Sequence, residues 1–250
     1  MDLRTRLIPC LQVRAGSLIK TTKFGAFGYI GDPANTCRIF NECEVDELVI
    51  LDVHATQNRQ GPDFRLIREI ADECFMPVAY GGGLTTIDQV ERVLRIGIEK
   101  VIIGSAAYAD PDLLSSIAKT YGSQCLVAAM DVAHDRRSGW HCKSHSGTRE
   151  TGHDPVEWAK RLKDLGVGEI LLTSIEREGT WSGLDHDLIA AVSRSVSVPV
   201  IAHGGANSKE DVVKAVRISG ASAVALGNMV VYQKKGMGVL VNFPTVDFAS

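Results

Sequence analysis

The stretch GGLTTIDQVERVLRIGIEKVIIGS, at residues 82–105, decides the fold because the chain repeats it as GGANSKEDVVKAVRISGASAVALGN at residues 204–228. Each copy has a glycine turn, then a helix pattern with apolar residues three and four apart, then a short apolar strand. Two further pairs of segments match in the same order, namely VILDV (49–53) with LLTSI (171–175), and CLQV (10–13) with AMDV (129–132). The chain is therefore predicted to contain two related halves.

Eight apolar segments alternate with helix patterns along the chain. They are LIPCLQV (7–13), ELVILDV (47–53), PVAYGG (77–82), KVIIGS (100–105), CLVAAMDV (125–132), EILLTS (169–174), PVIAHGG (199–205) and AVALGN (223–228). Such strands are typical of a parallel sheet covered on both faces, and 250 residues suit one (β/α)8 barrel. No polar linker interrupts the pattern. We expect an α/β fold with one TIM-barrel domain over 1–250, built from half-barrels at about 1–120 and 121–250.

The composition argues against several classes of protein. The net charge is −3 and the basic residues are dispersed, so nothing indicates a nucleic-acid surface. No run of 18 apolar residues could span a membrane, and the N-terminus lacks the apolar region of a secretion signal. The six cysteines show no CxxC spacing, which favours reduced, structural thiols. These features predict a cytoplasmic protein.

Gln12 and Asp131 end the first and fifth predicted strands, at equivalent places in the two halves. The carboxyl ends of the strands form the mouth of a TIM barrel, where active sites lie. The two residues are therefore predicted to face each other across the mouth. A carboxylate can exchange a proton near neutral pH, whereas the amide of Gln12 can only form hydrogen bonds.

Glycine turns follow the third and fourth strands, and again the seventh and eighth. Backbone N–H groups in such turns can bind phosphate, although glycine is also common in turns for conformation alone. Four turns in two related pairs favour phosphate binding and predict a ligand with a phosphate at each end. The predicted phosphate-binding residues are Gly82, Gly83, Gly104 and Ser105 in the first half, and Gly204, Gly205, Gly227 and Asn228 in the second.

These segments together resemble the HisF family, the cyclase subunit of imidazole glycerol phosphate synthase. The resemblance spans about residues 4–230 and is carried by RLIPCLQV, GDP (31–33), VDELVILD, YGGG, EKVIIGSAA, LVAAMD, GEILLTSIEREGTWSG (168–183) and GGA. It implies a bisphosphate substrate and a HisH-like glutaminase that docks at the bottom of the barrel, with ammonia passing up the barrel axis. It implies no cofactor and no metal.

The family uses two aspartates as an acid–base pair, and this chain departs from that pattern. Asp131 matches the strand-5 acid, but Gln12 replaces the strand-1 acid. Since one acid–base group contributes about 10²–10⁴-fold in rate, cyclase activity is expected to be weak or absent. Glu178 is acidic like its family counterpart but one methylene longer.

The resemblance also assigns residues outside the acid–base pair. Four charged residues match a gate for ammonia at the bottom of the barrel: Arg6, Glu47, Lys100 and Glu169. Four more are candidate ligand contacts: Lys20, Asp52, Thr173 and Ser174. Each of these four has an ordinary alternative role as a solvated lysine or a turn cap. His203 is more simply a satisfied buried histidine, and His141, Cys142 and His145 lack a fourth zinc ligand.

The retained gate and the lost aspartate together resemble one branch of the family, which is associated with amidation of bacterial surface sugars. In that branch the barrel is thought to supply ammonia to a separate N-acetyl sugar amidotransferase that makes an acetamidino sugar, as in lipopolysaccharide. The tail GNMVVYQKKGMGVLVNFP (227–244), which fits a helix that stops early, also favours this branch. Two alternatives stay open: an active cyclase of histidine biosynthesis, and a non-catalytic phosphate-binding scaffold.

Overall fold

The computed structural model describes residues 5–248 and contains twelve strands and nine α-helices in that range. The strands are β1 (Arg6–Arg14), β2 (Ser17–Thr21), β3 (Phe27–Gly31), β4 (Leu48–Asp52), β5 (Val78–Gly81), β6 (Lys100–Ile103), β7 (Leu126–Asp135), β8 (Gly139–Ser144), β9 (Arg149–Glu150), β10 (Glu169–Ser174), β11 (Val200–His203) and β12 (Ala223–Leu226). The helices are α1 (Pro33–Glu42), α2 (Phe64–Ala71), α3 (Ile87–Ile96), α4 (Ser105–Ala109), α5 (Asp112–Tyr121), α6 (Pro155–Asp164), α7 (His186–Ser193), α8 (Lys209–Arg217) and α9 (Asn228–Val231).

Eight of the strands are parallel and close into a barrel. Their order around the barrel is β1, β4, β5, β6, β7, β10, β11 and β12, and β12 pairs with β1 to complete the ring. These strands coincide with the eight apolar segments of the sequence, so the predicted (β/α)8 TIM barrel is confirmed. The remaining strands form two antiparallel hairpins at the mouth, β2–β3 on β1 and β8–β9 on β7.

The two halves share their turns and helix caps as well as their strands. Asp63 caps α2 by accepting from the N–H of Leu66, and Asp185 caps α7 by accepting from the N–H of Leu188. Thr86 and Ser208 do the same for α3 and α8. A capping side chain satisfies backbone N–H groups that have no partner within the helix. The predicted internal repeat is therefore present, while the division near residue 120 stays a prediction.

Two layers of apolar side chains hold the barrel together. The inner layer fills the barrel and is narrow, since several of its residues are small: Ile8, Cys10, Val49, Ala79, Ile102, Val127, Leu171, Ile201, Ala223 and Ala225. The larger outer layer lies between the strands and the helices and includes Phe40, Ile67, Leu114 and Leu162. Burial of these side chains fixes the strand ends, and the strand ends position the residues at the mouth and at the bottom.

The last helix of the barrel is replaced by an extended tail. Helix α9 ends at Val231, and residues 232–248 form no further helix. Val241 and Phe243 of the tail pack against the outer apolar layer instead, and Arg217 donates to the carbonyl of Phe248 at 3.0 Å. The prediction that this helix stops early is confirmed.

The six cysteines are all free. Within residues 5–248, each helix is too short or too polar to cross a membrane.

Candidate functional site

A cavity of about 260 Å³ opens at the mouth of the barrel, at the carboxyl ends of the parallel strands. We call it the mouth pocket. Gln12, Asp131 and Thr173 line it from the barrel axis, and the two hairpins contribute Phe24 and His145 from its rim. The pocket is bounded by apolar side chains as well as by these polar groups, which suits a small organic ligand.

Asp131 lies on β7, is half-buried and lines the mouth pocket. Burial raises the pKa of its carboxyl to about 7, and a hydrogen bond from Thr173 on β10 acts in the opposite direction. A carboxyl with such a pKa can accept or release a proton near neutral pH. Asp131 is therefore equipped for proton transfer.

Gln12 occupies the equivalent place on β1, but its amide is held by neighbouring groups. The Oε1 atom accepts a hydrogen bond from the backbone N–H of Thr21 at 2.9 Å and lies 3.0 Å from the Thr21 hydroxyl. The Nε2 atom donates to Glu178 at 3.3 Å. The side chain is almost completely buried. Gln12 thus ties the β2–β3 hairpin to the loop after β10.

The equivalent glycine turns after β5 and β11 pack equally tightly in the two halves of the chain. A Cβ atom on Gly82 would lie 2.6 Å from Asp52, and one on Gly204 would lie 2.7 Å from the carbonyl oxygen of Ser174. Asp52 and Ser174 themselves occupy equivalent positions. Both glycines also have positive φ angles, 132° and 98°. Backbone packing alone therefore requires glycine here, and phosphate binding remains a prediction.

The first set of predicted phosphate-binding residues lines the mouth pocket. Gly82, Gly83, Gly104 and Ser105 all face it. The hydroxyl oxygen of Ser105 accepts a hydrogen bond from the N–H of His145 at 2.8 Å. This bond fixes the loop between β8 and β9 at the rim.

The second set of predicted phosphate-binding residues surrounds a much smaller space. Gly204, Gly205, Gly227 and Asn228 line a cavity of about 10 Å³, together with Lys20 and Glu178. The amide of Asn228 donates to the carbonyl of Gly179 at 2.9 Å. The two predicted phosphate sites therefore differ in size, although their sequences are related.

The other predicted ligand contacts have separate surroundings. Asp52 lines the mouth pocket, and its Oδ1 accepts from the N–H groups of His54 and Ala55, at 3.0 and 2.9 Å. Thr173 also lines the pocket. Ser174 points the other way and its hydroxyl donates to Asp185 at 3.4 Å. The structure thus brings Asp52 and Thr173 to the pocket with Gln12 and Asp131.

His203 is buried beside Thr173, and the His203 Nδ1 atom lies 3.1 Å from the threonine hydroxyl. Burial, assisted by the charge of Lys20, lowers the pKa of His203 to about 3. The ring is therefore neutral near pH 7, in agreement with the interpretation of His203 as a satisfied buried histidine.

The four predicted gate residues form a closed ring at the opposite end of the barrel. Arg6 donates to Glu47 at 2.5 Å and to Glu169 at 2.6 Å. Lys100 donates to the same two carboxylates, at 2.8 and 3.1 Å. The charges alternate around the barrel axis, so every group has two partners of opposite sign.

Two features of the site were not predicted from the sequence. The first is the contact of the Thr21 hydroxyl with both Gln12 and Glu178. The second is the loop between β8 and β9, where His145 and Ser146 adopt positive φ angles of 54° and 55° and Ser146 donates to the carbonyl of Val53 at 2.8 Å. These contacts join residues that are distant in sequence, so local patterns carry no sign of them. Among residues 5–248, no group of three or more His, Cys, Asp or Glu side chains is placed to hold a metal ion.

Comparison with known proteins places the chain in a family. The sequence model of the family described as histidine biosynthesis protein matches residues 6–236. A Pseudomonas aeruginosa protein provisionally named imidazole glycerol phosphate synthase subunit hisF2 is 44% identical over 245 residues, which cover 98% of each chain.

Relatives named without that provision match almost as well. Imidazole glycerol phosphate synthase subunit HisF of Caulobacter vibrioides is 41% identical over 89% of this chain and 86% of its own length. The subunit of the same name in Streptococcus sanguinis is 39% identical over 85% of this chain and 84% of its own length. The chain therefore belongs to the histidine biosynthesis protein family, as a HisF-like synthase subunit.

Proposed function

We propose that this chain is the ammonia-delivering subunit of a glutamine amidotransferase system. The observation that carries the proposal is the contrast between the two ends of the barrel. The charged ring at the bottom is complete, whereas of the two acids that form the acid–base pair of the HisF family only Asp131 is kept, with Gln12 in the place of the other. A barrel that passes ammonia onward needs the first feature and has no need of the second acid.

The ring supports the first half of this proposal. Four alternating charges at the bottom of the barrel leave the axis blocked while the ring is closed, because Arg6 and Lys100 both bridge Glu47 and Glu169. A small neutral molecule such as ammonia can pass if one of these side chains moves. Because HisF is a subunit of imidazole glycerol phosphate synthase, a partner subunit is implied. A HisH-like glutaminase docked below the ring would supply the ammonia.

The environment of Gln12 supports the second half of the proposal, namely that the barrel does not itself use the ammonia for cyclisation. The Gln12 amide is hydrogen-bonded to Thr21 and Glu178, and an amide does not exchange protons near neutral pH. Asp131 is left without an acid–base partner at the equivalent position. Native cyclisation would thereby lose a contribution of about 10²–10⁴-fold.

The proposed acceptor of the ammonia is a separate sugar-modifying enzyme. The resemblance of the sequence to the sugar-amidating branch favours an N-acetyl sugar amidotransferase, whose product is an acetamidino sugar of a surface glycan. The numbered name hisF2 of the Pseudomonas aeruginosa relative fits a role beside an ordinary HisF. The second candidate function is an active cyclase of histidine biosynthesis, which is favoured by the raised pKa of Asp131.

Deletion of the gene in its native host separates the two functions. Our proposal predicts that the mutant grows without added histidine, and that its surface glycan carries N-acetyl groups in place of acetamidino groups when examined by mass spectrometry. A histidine requirement with an unchanged glycan would contradict the proposal and support the cyclase. Complementation with the wild-type gene is the control for both results.

A further inference from the structure

The two glycine-turn sites at the barrel mouth are related by the internal repeat but are unequal in the folded chain. The site formed by Gly82, Gly83, Gly104 and Ser105 opens into the mouth pocket of about 260 Å³. The site formed by Gly204, Gly205, Gly227 and Asn228, which we call the second glycine site, encloses about 10 Å³. That volume is close to the minimum for one water molecule.

Lys20 and Glu178 fill the second glycine site. The Lys20 side chain lies across the turn after β12, so that its Cε would be 2.7 Å from a Cβ atom on Gly227. Its ammonium group donates to the Glu178 carboxylate, and also to the carbonyl of Thr21 at 2.9 Å. Glu178 is completely buried, and Lys20 is 5% exposed. Because the ion pair is buried, the surrounding protein holds both side chains in place.

Two more groups from the β2–β3 hairpin and one from β1 hold the Glu178 carboxylate. It accepts hydrogen bonds from the Thr21 hydroxyl at 2.9 Å and from the N–H of Phe24 at 3.2 Å. Gln12 donates to it from β1. The backbone of the loop after β10 also lies close to the hairpin, since a Cβ atom on Gly179 would lie 2.2 Å from the carbonyl oxygen of Thr21. The hairpin is thus fixed to the loop after β10.

A neutral amide at position 12 leaves the charges of this cluster balanced. The cluster contains one ammonium, on Lys20, and one carboxylate, on Glu178, and both are buried. A second carboxylate at position 12 would be within reach of Glu178, and like charges in a buried site disfavour ionisation. Gln12 fills the position, satisfies Thr21 and adds no charge.

We propose that the Lys20–Glu178 pair permanently occupies the second glycine site, so that the barrel mouth accepts a ligand with at most one phosphate group. The Glu178 carboxylate takes the place that a second phosphate would need, against the same ammonium and the same hairpin N–H. This inference concerns which ligand the mouth pocket accepts, and it does not depend on where the ammonia goes.

The test removes the carboxylate and offers phosphate in its place. Glu178→Ala leaves Lys20 without its anion and vacates volume beside the second glycine site. Inorganic phosphate is titrated by calorimetry near neutral pH into wild-type protein and into Glu178→Ala. The variant is expected to bind one more phosphate than the wild type, at least about tenfold tighter than any residual binding there, the factor that one charge-assisted hydrogen bond contributes. Phosphate should also raise the Tm of the variant more than that of the wild type.

Two controls identify the site. In Lys20→Met/Glu178→Ala, the ammonium is absent and the additional phosphate should not bind. Glu150→Gln breaks an exposed pair with Lys143 and should behave like the wild type. The inference is overturned if Glu178→Ala binds no more phosphate than the double variant, or if the wild type already binds phosphate at the second glycine site.

A measurement on the wild type covers the case in which Glu178→Ala does not fold. Hydrogen exchange is followed in the presence of D-ribose 5-phosphate or D-fructose 1,6-bisphosphate. The closed site predicts unchanged exchange at residues 204–205 and 227–228 with either sugar. Slower exchange at these turns with the bisphosphate alone would show that the Lys20–Glu178 pair opens to admit a second phosphate, and would refute the proposal.

Discussion

At the scale of single residues, two equivalent positions of the repeat have taken different chemical roles. Asp131 is half-buried at the mouth pocket and has a raised pKa, while Gln12 is neutral and hydrogen-bonded to Thr21 and Glu178. Strand position could be predicted for both residues from the repeat. The network around Gln12 could not, because Thr21 and Glu178 reach it from segments that only the fold brings together.

The raised pKa of Asp131 makes a prediction about stability. Its folded-state pKa of about 7 exceeds its ordinary value of 3.8, so the folded protein binds this proton more tightly than the unfolded chain. The contribution of this group to the free energy of unfolding is fully present below about pH 4. It is lost as the pH rises through 7, by up to about 4 kcal/mol. Relative to wild type, Asp131→Asn should therefore gain stability between pH 4 and pH 8 in urea unfolding. Parallel pH profiles for the two proteins would refute this.

Gln12→Asp tests the charge balance at the mouth. The shorter side chain loses contact with Thr21 and places a carboxylate beside Glu178. We expect a destabilisation of about 1–3 kcal/mol, larger at pH 8 than at pH 5 because protonation relieves the repulsion between the two acids. Urea unfolding measures it, with the exposed Gln233→Asp as the control. An equally stable Gln12→Asp would show that the pocket readily admits a second acid.

At the scale of elements, the bottom ring and the β2–β3 hairpin connect strands that are far apart in sequence. The ring joins β1, β6 and β10 with the residue before β4. Its residues could be matched from the sequence only through the family resemblance, since charges at strand ends are ordinary. The hairpin strands were not predicted. They lie outside the eight apolar segments of the sequence, and pairing with β1 orders them.

Removal of Lys100 tests the ring. Lys100→Met leaves Glu47, which is 3% exposed, and Glu169 with Arg6 alone. Since breaking a largely buried pair leaves an uncompensated charge, we expect a loss of about 2–4 kcal/mol, reduced from the fully buried case by partial exposure. Lys160→Met removes the exposed pair with Glu157 and should unfold almost like the wild type. Equal effects of the two substitutions would show that the ring is no more than an ordinary surface network.

At the scale of the whole molecule, the fold follows from features that a sequence displays openly. Eight apolar strands, helix patterns ending at Gly97 and near Gly166, and the internal repeat were sufficient to predict a TIM barrel. The difference in size between the two glycine sites could not be predicted from the sequence, because the two segments are alike. It arises from Lys20 and Glu178, which lie in different halves and meet only when the barrel closes.

We propose that this barrel keeps the charged ring at its bottom and has lost the acid–base pair that the HisF family uses for cyclisation. The most direct test is to supply purified protein with excess ammonium salt and the bisphosphate substrate of the HisF family, and to follow formation of imidazole glycerol phosphate. An authentic HisF subunit serves as the positive control, and Gln12→Asp is assayed alongside. We predict no measurable turnover by the wild type. Turnover at ordinary enzyme rates, about 1–10³ s⁻¹, would contradict both the delivery role and the closed second glycine site.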